Sequence, residues 1–248
     1  MLIDSHTHLS DDEYTSIEGE VIDMLRTLDI KAISVSMDIN TARRNLSLAE
    51  RYKDVIIPFV GLHPWCIEHE DVDEFTSFIL SNIDKIKGIG EIGLDAAYAS
   101  DYKKQKVVFE SMLSIAERYK KPVSIHSRRA VDDVLAVLSS YNIKGVLLHW
   151  FSGSRKQLVK ANDMGYYVSY GPVLVYSEEK RVLLKNSNID LVLIETDGPV
   201  RYGSCFNNSM ALPSFLVSVA YALSDTLNMH YSDAEEMLLK NSLRYLNC

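Results

Sequence analysis

The sequence predicts an α/β protein built as a single (β/α)8, TIM-like barrel. Short apolar or β-branched runs recur eight times along the chain, with helical stretches between them. Several of these runs are continuously apolar, which is typical of parallel strands covered on both faces. No low-complexity or linker-like segment interrupts the pattern, and 248 residues suit one such barrel. We therefore predict one domain spanning residues 1–248.

The predicted strands leave room for about one helix between neighbours. In order they are Met1–Asp4, Lys31–Ser36, Val55–Gly61, Ile86–Gly90, Pro122–His126, Gly145–His149, Tyr166–Tyr170 and Leu191–Glu195. Eight strands suggest closure into a barrel. The alternative is an open, doubly wound sheet, which has the same alternation of strands and helices.

Three connecting stretches carry clear helical signatures. After the fourth strand, one apolar stripe with spacings of four, three and four residues is formed by Val108, Met112, Ile115 and Tyr119. After the fifth strand, Ser127 is a candidate cap for a helix whose apolar face comprises Val131, Val134, Leu135 and Leu138. A final stretch from Ser232 has acidic residues in its first turn, which suits a capped helix.

Composition excludes several classes of protein. No apolar run reaches the ~18 residues that a membrane span requires, and the N-terminal residues do not resemble a secretory signal. The three cysteines, Cys66, Cys205 and Cys248, are not clustered. This argues for a reducing compartment and against a disulfide framework or a zinc ribbon. We expect a soluble, cytoplasmic protein without membrane association, and no obligate protein partner is evident.

The net charge limits the possible nucleic-acid partners. Proteins that bind duplex DNA tightly usually present a basic face to the phosphates. The formal charge here is −8, so the overall field would repel a polyanion. A nucleic-acid substrate would have to be held locally, by bound metal and a few basic side chains.

Polar residues suited to metal binding cluster at the carboxyl ends of the predicted strands, where parallel α/β folds place their catalytic loops. His6 and His8, two positions apart on an extended segment, point the same way. Four further candidates follow other strands: Glu91, His126, His149 and Asp197. Neutral imidazoles and carboxylates are the ligands of catalytic sites for divalent metal ions. The six candidate ligands are more than one tetrahedral ion can bind.

The run Gly88–Gly93 also matches the dinucleotide-binding pattern GxGxxG. That function requires a helix to begin at once, with its backbone N–H groups facing a pyrophosphate. Here Glu91 lies inside the run, and residues 94–100 do not look like the start of a helix. We interpret the glycines as allowing close backbone approach around a carboxylate ligand.

Residues 3–247 carry six ordered motifs together with Gln105 and a closing NSLRYL. The six motifs are DSHTHL, GLHPW, GEIGLD, HSRRA, HWFSG and ETDGP. In these motifs the chain resembles the TatD family of metal-dependent deoxyribonucleases, within the amidohydrolase superfamily. The resemblance implies a barrel with two divalent ions, Mg²⁺ or Mn²⁺ and possibly Zn²⁺. It implies that His6, His8 and Asp197 bind one ion and His126 and His149 the other, with Glu91 bridging.

The implied reaction is phosphodiester hydrolysis, with Asp197 and Glu91 as the catalytic carboxylates and Asp197 accepting a proton from the attacking water. His63 and Arg128 are candidates for holding the phosphate, although Arg128 could instead pair with Asp132 or Asp133. Glu195 is a candidate partner for a ligating histidine.

Three departures from the family pattern concern the substrate. Trp150 stands where a small residue or cysteine is usual, and it could provide a stacking surface. Gly198 replaces a small side chain, and in Val200–Leu212 the only basic residue is Arg201. We expect weak, sequence-independent binding of single-stranded DNA ends. The alternatives are hydrolysis of a small amide, lactone or phosphoester, and a non-catalytic metal-binding scaffold.

Overall fold

The computed structural model describes residues 1–98 and 101–247. Within these ranges, eight strands follow one another in parallel around the molecule. They are β1 Leu2–Thr7, β2 Ile30–Ser34, β3 Ile56–Pro58, β4 Ile89–Gly93, β5 Val123–His126, β6 Val146–Leu148, β7 Tyr167–Tyr170 and β8 Val192–Ile194.

Nine helices in the described residues connect and cover these strands. They are α1 Glu18–Thr27, α2 Ile39–Arg51, α3 Val72–Ser81, α4 Tyr102–Arg118, α5 Val131–Leu138, α6 Arg155–Asp163, α7 Glu178–Lys185, α8 Phe215–Leu227 and α9 Tyr231–Leu246. In that part of the chain, no helix combines the length and hydrophobicity needed to cross a bilayer.

The strands pair in chain order around a barrel. β1, β2 and β3 form one parallel ladder, and β4 to β8 form another. A bridge between Phe59 and Gly88 joins the two ladders at the β3–β4 seam. At the β8–β1 seam, the Asp197 N–H donates to the His6 carbonyl at 3.0 Å, and the Ser5 hydroxyl donates to the Ile194 carbonyl at 2.8 Å. The predicted (β/α)8 fold class is confirmed.

Buried side chains fill the barrel interior below the mouth. They come from several strands and from the last helix: Ile3, Ile33, Val35, Phe59, Leu147, Tyr167, Leu193 and Tyr245. Tyr245 is contributed by α9 and is fully buried, and its hydroxyl donates to the Val123 carbonyl at 3.0 Å. The interior is therefore packed, and α9 supplies the floor of the barrel.

Two strands extend further than their sequence pattern predicts. β1 continues through His6 to Thr7, which pairs with Ser34, and β4 begins at Ile89 and continues through Glu91 to Gly93. The sequence pattern ends the first strand at Asp4 and the fourth at Gly90. In the structure each ladder resumes beyond a register irregularity, between Asp4 and Thr7 in β1 and between Ile89 and Ile92 in β4.

Two helix starts also differ from the prediction. α5 begins at Val131 after Ala130, and no side chain, Ser127 included, caps it. α9 begins at Tyr231, one residue before the predicted Ser232, and it too lacks a side-chain cap. In both cases the predicted capping residue does not lie at the position immediately before the helix.

The segment Val200–Leu212 forms a small hairpin beside the mouth. Its strands, β9 Arg201–Tyr202 and β10 Ser209–Met210, are antiparallel. Arg201 is ion-paired with Glu13. The hairpin also explains why residue 198 is a glycine. A Cβ there would overlap the Tyr14 hydroxyl, which donates to the Ala211 carbonyl of this segment.

Candidate metal centre

The carboxyl ends of the strands bring the six predicted ligands together, with a seventh polar side chain. We call this group the mouth cluster; it comprises His6, His8, His63, Glu91, His126, His149 and Asp197. All seven side chains are at most 13% exposed. Five imidazoles and two carboxylates thus share one buried site.

Glu91 lies at the middle of the mouth cluster. Its Oε1 is 2.9 Å from His126 Nδ1, 2.8 Å from His149 Nε2 and 3.2 Å from His63 Nε2. Its Oε2 faces the other way, 3.4 Å from His6 Nε2 and 3.3 Å from His8 Nε2. One carboxylate therefore has each of its oxygens directed at a separate set of imidazoles.

Asp197 completes the second of these sets. Its Oδ1 is 3.6 Å from His6 Nε2 and 3.4 Å from His8 Nε2. The residue adopts a left-handed backbone conformation, with φ of 48°, which few non-glycine residues adopt outside tight turns and functional sites. The conformation is fixed by its N–H, which donates to the His6 carbonyl at 3.0 Å.

The electrostatics favour ionised carboxylates surrounded by imidazoles. Burial opposes ionisation of Glu91, but the histidines around it, led by His63 and His149, hold its pKa well below the usual range. Burial lowers the pKa of His6 to about 4. Burial would also lower the pKa of His8, but the carboxylates of Asp197 and Glu91 outweigh that effect and raise it to about 10. Ionised carboxylates are the form that binds cations.

The donor set fits divalent metal. Three groups of side chains each place ligand atoms within 4.8 Å of one another: His6, His8 and Asp197; His6, Glu91 and His149; His63, Glu91 and His126. His6 Nε2 and His8 Nε2 converge to 3.3 Å, so one cation could be held by both rings. His149 Nδ1 is buried without a hydrogen-bond partner among the described residues.

Two glycines allow the backbone to pack closely around Glu91. A Cβ at Gly90 would lie 2.9 Å from the Ser124 side chain, and one at Gly93 would overlap the His126 carbonyl. Gly93 also has φ of 145°, a conformation that favours glycine. The interpretation of the GxGxxG run as a close-packing device is therefore correct, and the run is followed by a loop rather than a helix.

Asp95 is a site residue that the sequence prediction missed. It is fully buried, and its Oδ2 lies 2.9 Å from His126 Nε2 and 2.7 Å from Trp65 Nε1. Gln105 in turn accepts a hydrogen bond from the Asp95 N–H at 2.8 Å. Asp95 fixes the ring of His126 so that Nδ1 faces Glu91. The available signal was an acidic residue four positions after Glu91, two residues beyond the end of the same strand.

Glu195 does not hold a ligating histidine as predicted. Its Oε2 is 3.9 Å from His149 Nδ1, which is beyond hydrogen-bond distance. It accepts instead from the Trp150 N–H at 2.7 Å and from the Ser169 hydroxyl at 2.6 Å. Because Trp150 has φ of 39°, Glu195 holds an unusual backbone conformation beside His149.

Arg128 lies beside the mouth cluster, on the rim of the barrel. With Arg129, Ser152, Gly153 and Gln157 it lines a groove of about 570 Å³. Among the described residues neither Asp132 nor Asp133 pairs with it: Asp133 binds Tyr102 and Lys106, and Asp132 accepts from Gln157. The alternative interpretation of Arg128 as the ion-pair partner of Asp132 or Asp133 is therefore wrong.

Comparison with known proteins agrees with this geometry. A sequence model of the family described as TatD-related DNase matches residues 3–247. The chain belongs to the TatD family. An uncharacterised metal-dependent hydrolase, YabD of Bacillus subtilis, is 29% identical, and the match covers 98% of each chain. A human relative named deoxyribonuclease TATDN3 is 27% identical, over 80% of this chain and 78% of its own.

A solved structure shows the same fold. The TatD homologue YjjV of Escherichia coli superposes with a TM-score of 0.92, at 24% identity, covering 100% of this chain and 98% of that one. The TatD family membership and the buried cluster of histidines and carboxylates together identify the chain as a metal-dependent hydrolase.

Proposed function

We propose that this TatD-family hydrolase uses two divalent ions to cleave phosphodiester bonds, removing nucleotides from single-stranded DNA ends. The observation that carries the proposal is the orientation of Glu91, whose two oxygens face separate sets of imidazoles. Two ions about 3.5–4 Å apart repel each other, and a shared carboxylate offsets that repulsion.

In this proposal His6, His8 and Asp197 hold one ion, His126 and His149 hold the other, and Glu91 lies between them. The ions are Mg²⁺ or Mn²⁺, with Zn²⁺ as a further candidate because four of the ligands are imidazoles. Ions bound there supply an activated water and offset the charge of the phosphate.

The protein side chains perform the remaining tasks. Asp197 Oδ1 accepts the proton released as water attacks phosphorus. Burial would raise the pKa of Asp197, but the hydrogen bond from His8 and the charge of the nearby imidazoles lower it and keep the carboxylate ionised. His63, 3.2 Å from Glu91 Oε1, contacts a phosphate oxygen from its side of the cluster. Arg128, which is exposed on the rim and not ion-paired within the described residues, binds a phosphate through its guanidinium.

A second candidate function is hydrolysis of a small amide, lactone or phosphoester. The hairpin beside the mouth favours it, because Arg201, the sole basic residue of Val200–Leu212, is occupied by Glu13. Trp150, half-buried and stacked on Tyr202 at 5.6 Å, also narrows this side of the mouth. Glu91 favours the nuclease, because enzymes of the other kind commonly place a carboxylated lysine at the bridge.

The test is an activity panel on protein reconstituted separately with Mg²⁺, Mn²⁺ and Zn²⁺. Substrates are single-stranded DNA, duplex DNA, RNA and small phosphodiester, ester and amide compounds. We expect single-stranded DNA labelled at either end to be shortened progressively, faster than duplex. Asp197→Asn protein, purified identically, controls for a contaminating nuclease. Turnover of a small ester or amide without DNA hydrolysis would establish the second candidate.

A further inference from the structure

Two aromatic side chains form an exposed stacked pair at the barrel mouth. The rings of Trp65 and Tyr98 have centroids 5.6 Å apart and an interplanar angle of 27°. Trp65 is 36% exposed and Tyr98 is 42% exposed. We call this pair the aromatic step. Nothing in the mechanism proposed above uses it.

The aromatic step adjoins the mouth cluster directly. Trp65 meets His63 edge to face with ring centroids 4.8 Å apart, and it meets His126 at 5.9 Å. A flat group that lies on the step is therefore within a few ångströms of imidazoles that surround Glu91. The distance of 4.8 to 5.9 Å between the Trp65 ring and these imidazoles is comparable to the distance between the phosphate and the base of one nucleotide.

Asp95 fixes the step in place. Its Oδ2 accepts from Trp65 Nε1 at 2.7 Å, and its Oδ1 accepts from the Tyr98 N–H at 3.1 Å. The same carboxylate lies 2.9 Å from His126 Nε2. Both aromatic residues and a histidine of the cluster bind this one buried carboxylate, so the step is ordered before any ligand arrives. Stacking of a ligand on the step therefore costs the protein little side-chain entropy.

Trp150, on another side of the mouth, offers less open surface. It stacks on Tyr202, which is only 2% exposed, and Tyr202 contacts Phe206 in turn. These rings pack against one another to support the hairpin. The exposed rings near the cluster that are not committed to such packing, within the described residues, are Trp65 and Tyr98.

We propose that the aromatic step binds the base of the nucleotide whose phosphate lies at the mouth cluster. The proposal rests on the phosphodiesterase function proposed above and specifies its substrate as an unpaired nucleotide. Stacking is tolerant of base identity, because every base has a π-face. A paired base is already stacked within its duplex, so the step selects single strands and frayed ends.

The experiment compares two probes that share a phosphate and differ in the base: dAMP and 2-deoxyribose 5-phosphate. Each is titrated calorimetrically into protein in the presence of Mn²⁺. We expect dAMP to bind about 5- to 140-fold more tightly, the range that one base stacked on an aromatic side chain provides. In Trp65→Leu and Tyr98→Ala the ratio of the two affinities should fall towards one, with the affinity for 2-deoxyribose 5-phosphate unchanged.

Tyr221→Ala is the matched control, because Tyr221 is 66% exposed on α8, outside the mouth; it should leave the ratio as it is. Tyr98→Ala changes an exposed loop residue, so it remains informative even if Trp65→Leu reduces stability. Equal affinity of the two probes for the intact protein, or an unchanged ratio in both variants, would overturn the aromatic step while leaving the phosphodiesterase proposal standing. Failure to bind either probe would also overturn the aromatic step, and the activity panel would then test the phosphodiesterase proposal by itself.

Discussion

Glu91 is the side chain on which the whole mouth cluster converges, since all five imidazoles lie within 3.4 Å of one of its oxygens. Removing that carboxylate leaves the histidines without a shared counter-charge. We expect Glu91→Ala to lose both metal ions and nearly all turnover. Metal content per chain, measured by mass spectrometry after dialysis, checks this. Retention of two ions would show that Glu91 is not the bridge.

Asp197 provides a contrasting substitution in the same cluster. An amide oxygen at this position can still coordinate metal, but it cannot accept a proton at neutral pH. We expect Asp197→Asn to keep most of its metal and to lose about 10²–10⁴-fold in turnover, the range typical of a general base. Single-turnover rates measured beside metal content separate the two effects. Loss of metal without loss of rate per loaded site would contradict this role.

The metal-ligand candidates are the part of the site for which the sequence gives the clearest prediction. The six ligand candidates are each a histidine or carboxylate placed after a strand, and parallel topology alone brings such positions together. The partners that fix those side chains are less predictable. Asp95 reaches His126 across two neighbouring strand ends, and Glu195 binds the Trp150 backbone instead of His149. Such choices depend on side-chain rotamers, which sequence spacing does not specify.

At the scale of single elements, two buried asparagines attach helices to strands. Asn45 of α2 donates through Nδ2 to the carbonyls of Ser34 and Phe59, at 2.7 and 2.9 Å. Asn241 of α9 does the same for Ile189 and Val192, again at 2.7 and 2.9 Å. Each amide gives two carbonyls a further donor, although Ser34 already accepts from the Phe59 N–H and Ile189 from the Val192 N–H.

Replacing Asn241 by leucine removes a donor shared by two carbonyls, and the Val192 bond is buried. Ile189 keeps the Val192 N–H as a donor, and one unsatisfied buried polar group costs about 1–3 kcal/mol, so we expect Asn241→Leu to lower the free energy of unfolding by about 1–3 kcal/mol. Urea unfolding followed by circular dichroism measures the change. Lys240→Ala, at an exposed position of the same helix, should stay within about 0.5 kcal/mol. Equal effects of the two substitutions would contradict the role of Asn241 in attaching α9 to the sheet.

Strand boundaries were less predictable than strand positions, for a reason visible in β1 and β4. Both carry a metal-ligand candidate at a register irregularity beyond which the ladder resumes, so the hydrophobic pattern stops before the hydrogen bonding does. Thr7 still pairs with Ser34 and Gly93 with His126. At the mouth of a barrel the interior changes from apolar to polar along one continuous strand, and a pattern based on burial of apolar residues cannot follow that change.

For the whole molecule, the charge distribution predicts weak contact with DNA. Several arginines are neutralised by acidic neighbours, among them Arg26, Arg44, Arg51, Arg181, Arg201 and Arg244. With a net charge of −8, contact should be confined to a few phosphates near the mouth. We expect a log–log salt slope of about −2 to −3 for a single-stranded end, since each neutralised phosphate contributes about −0.7.

The two arginines that line the groove on the barrel rim, Arg128 and Arg129, should account for part of that salt slope. Replacing both Arg128 and Arg129 by alanine should make it shallower by about 0.7 for each phosphate that these side chains neutralise in the intact protein. Arg118→Ala, exposed at the end of α4, should leave it unchanged. Fluorescence anisotropy over a range of salt concentrations gives the slopes. A value steeper than about −6 in the intact protein would indicate an extensive basic track and contradict this view of the surface.

The overall architecture was predictable because eight apolar runs alternating with helices have few parallel arrangements. The floor of the barrel was not, because the position of Tyr245 beneath the strands depends on how α9 returns across the N-terminal ends of the sheet. No local pattern around Tyr245 distinguishes a floor residue from one on an ordinary apolar helix face.

That floor has a consequence for how the protein is made. Ribosomes add about 5–20 residues per second, so about 10–50 seconds separate the emergence of β1 from that of Tyr245. Phe59 and Tyr167, which both contact Tyr245 in the finished protein, lack that ring from their own synthesis until α9 has been made. Because β8 is complete only at Ile194, a full set of strands exists late in synthesis, and at first it has no floor. The bottom of the barrel therefore stays open until α9 docks and Tyr245 enters the interior.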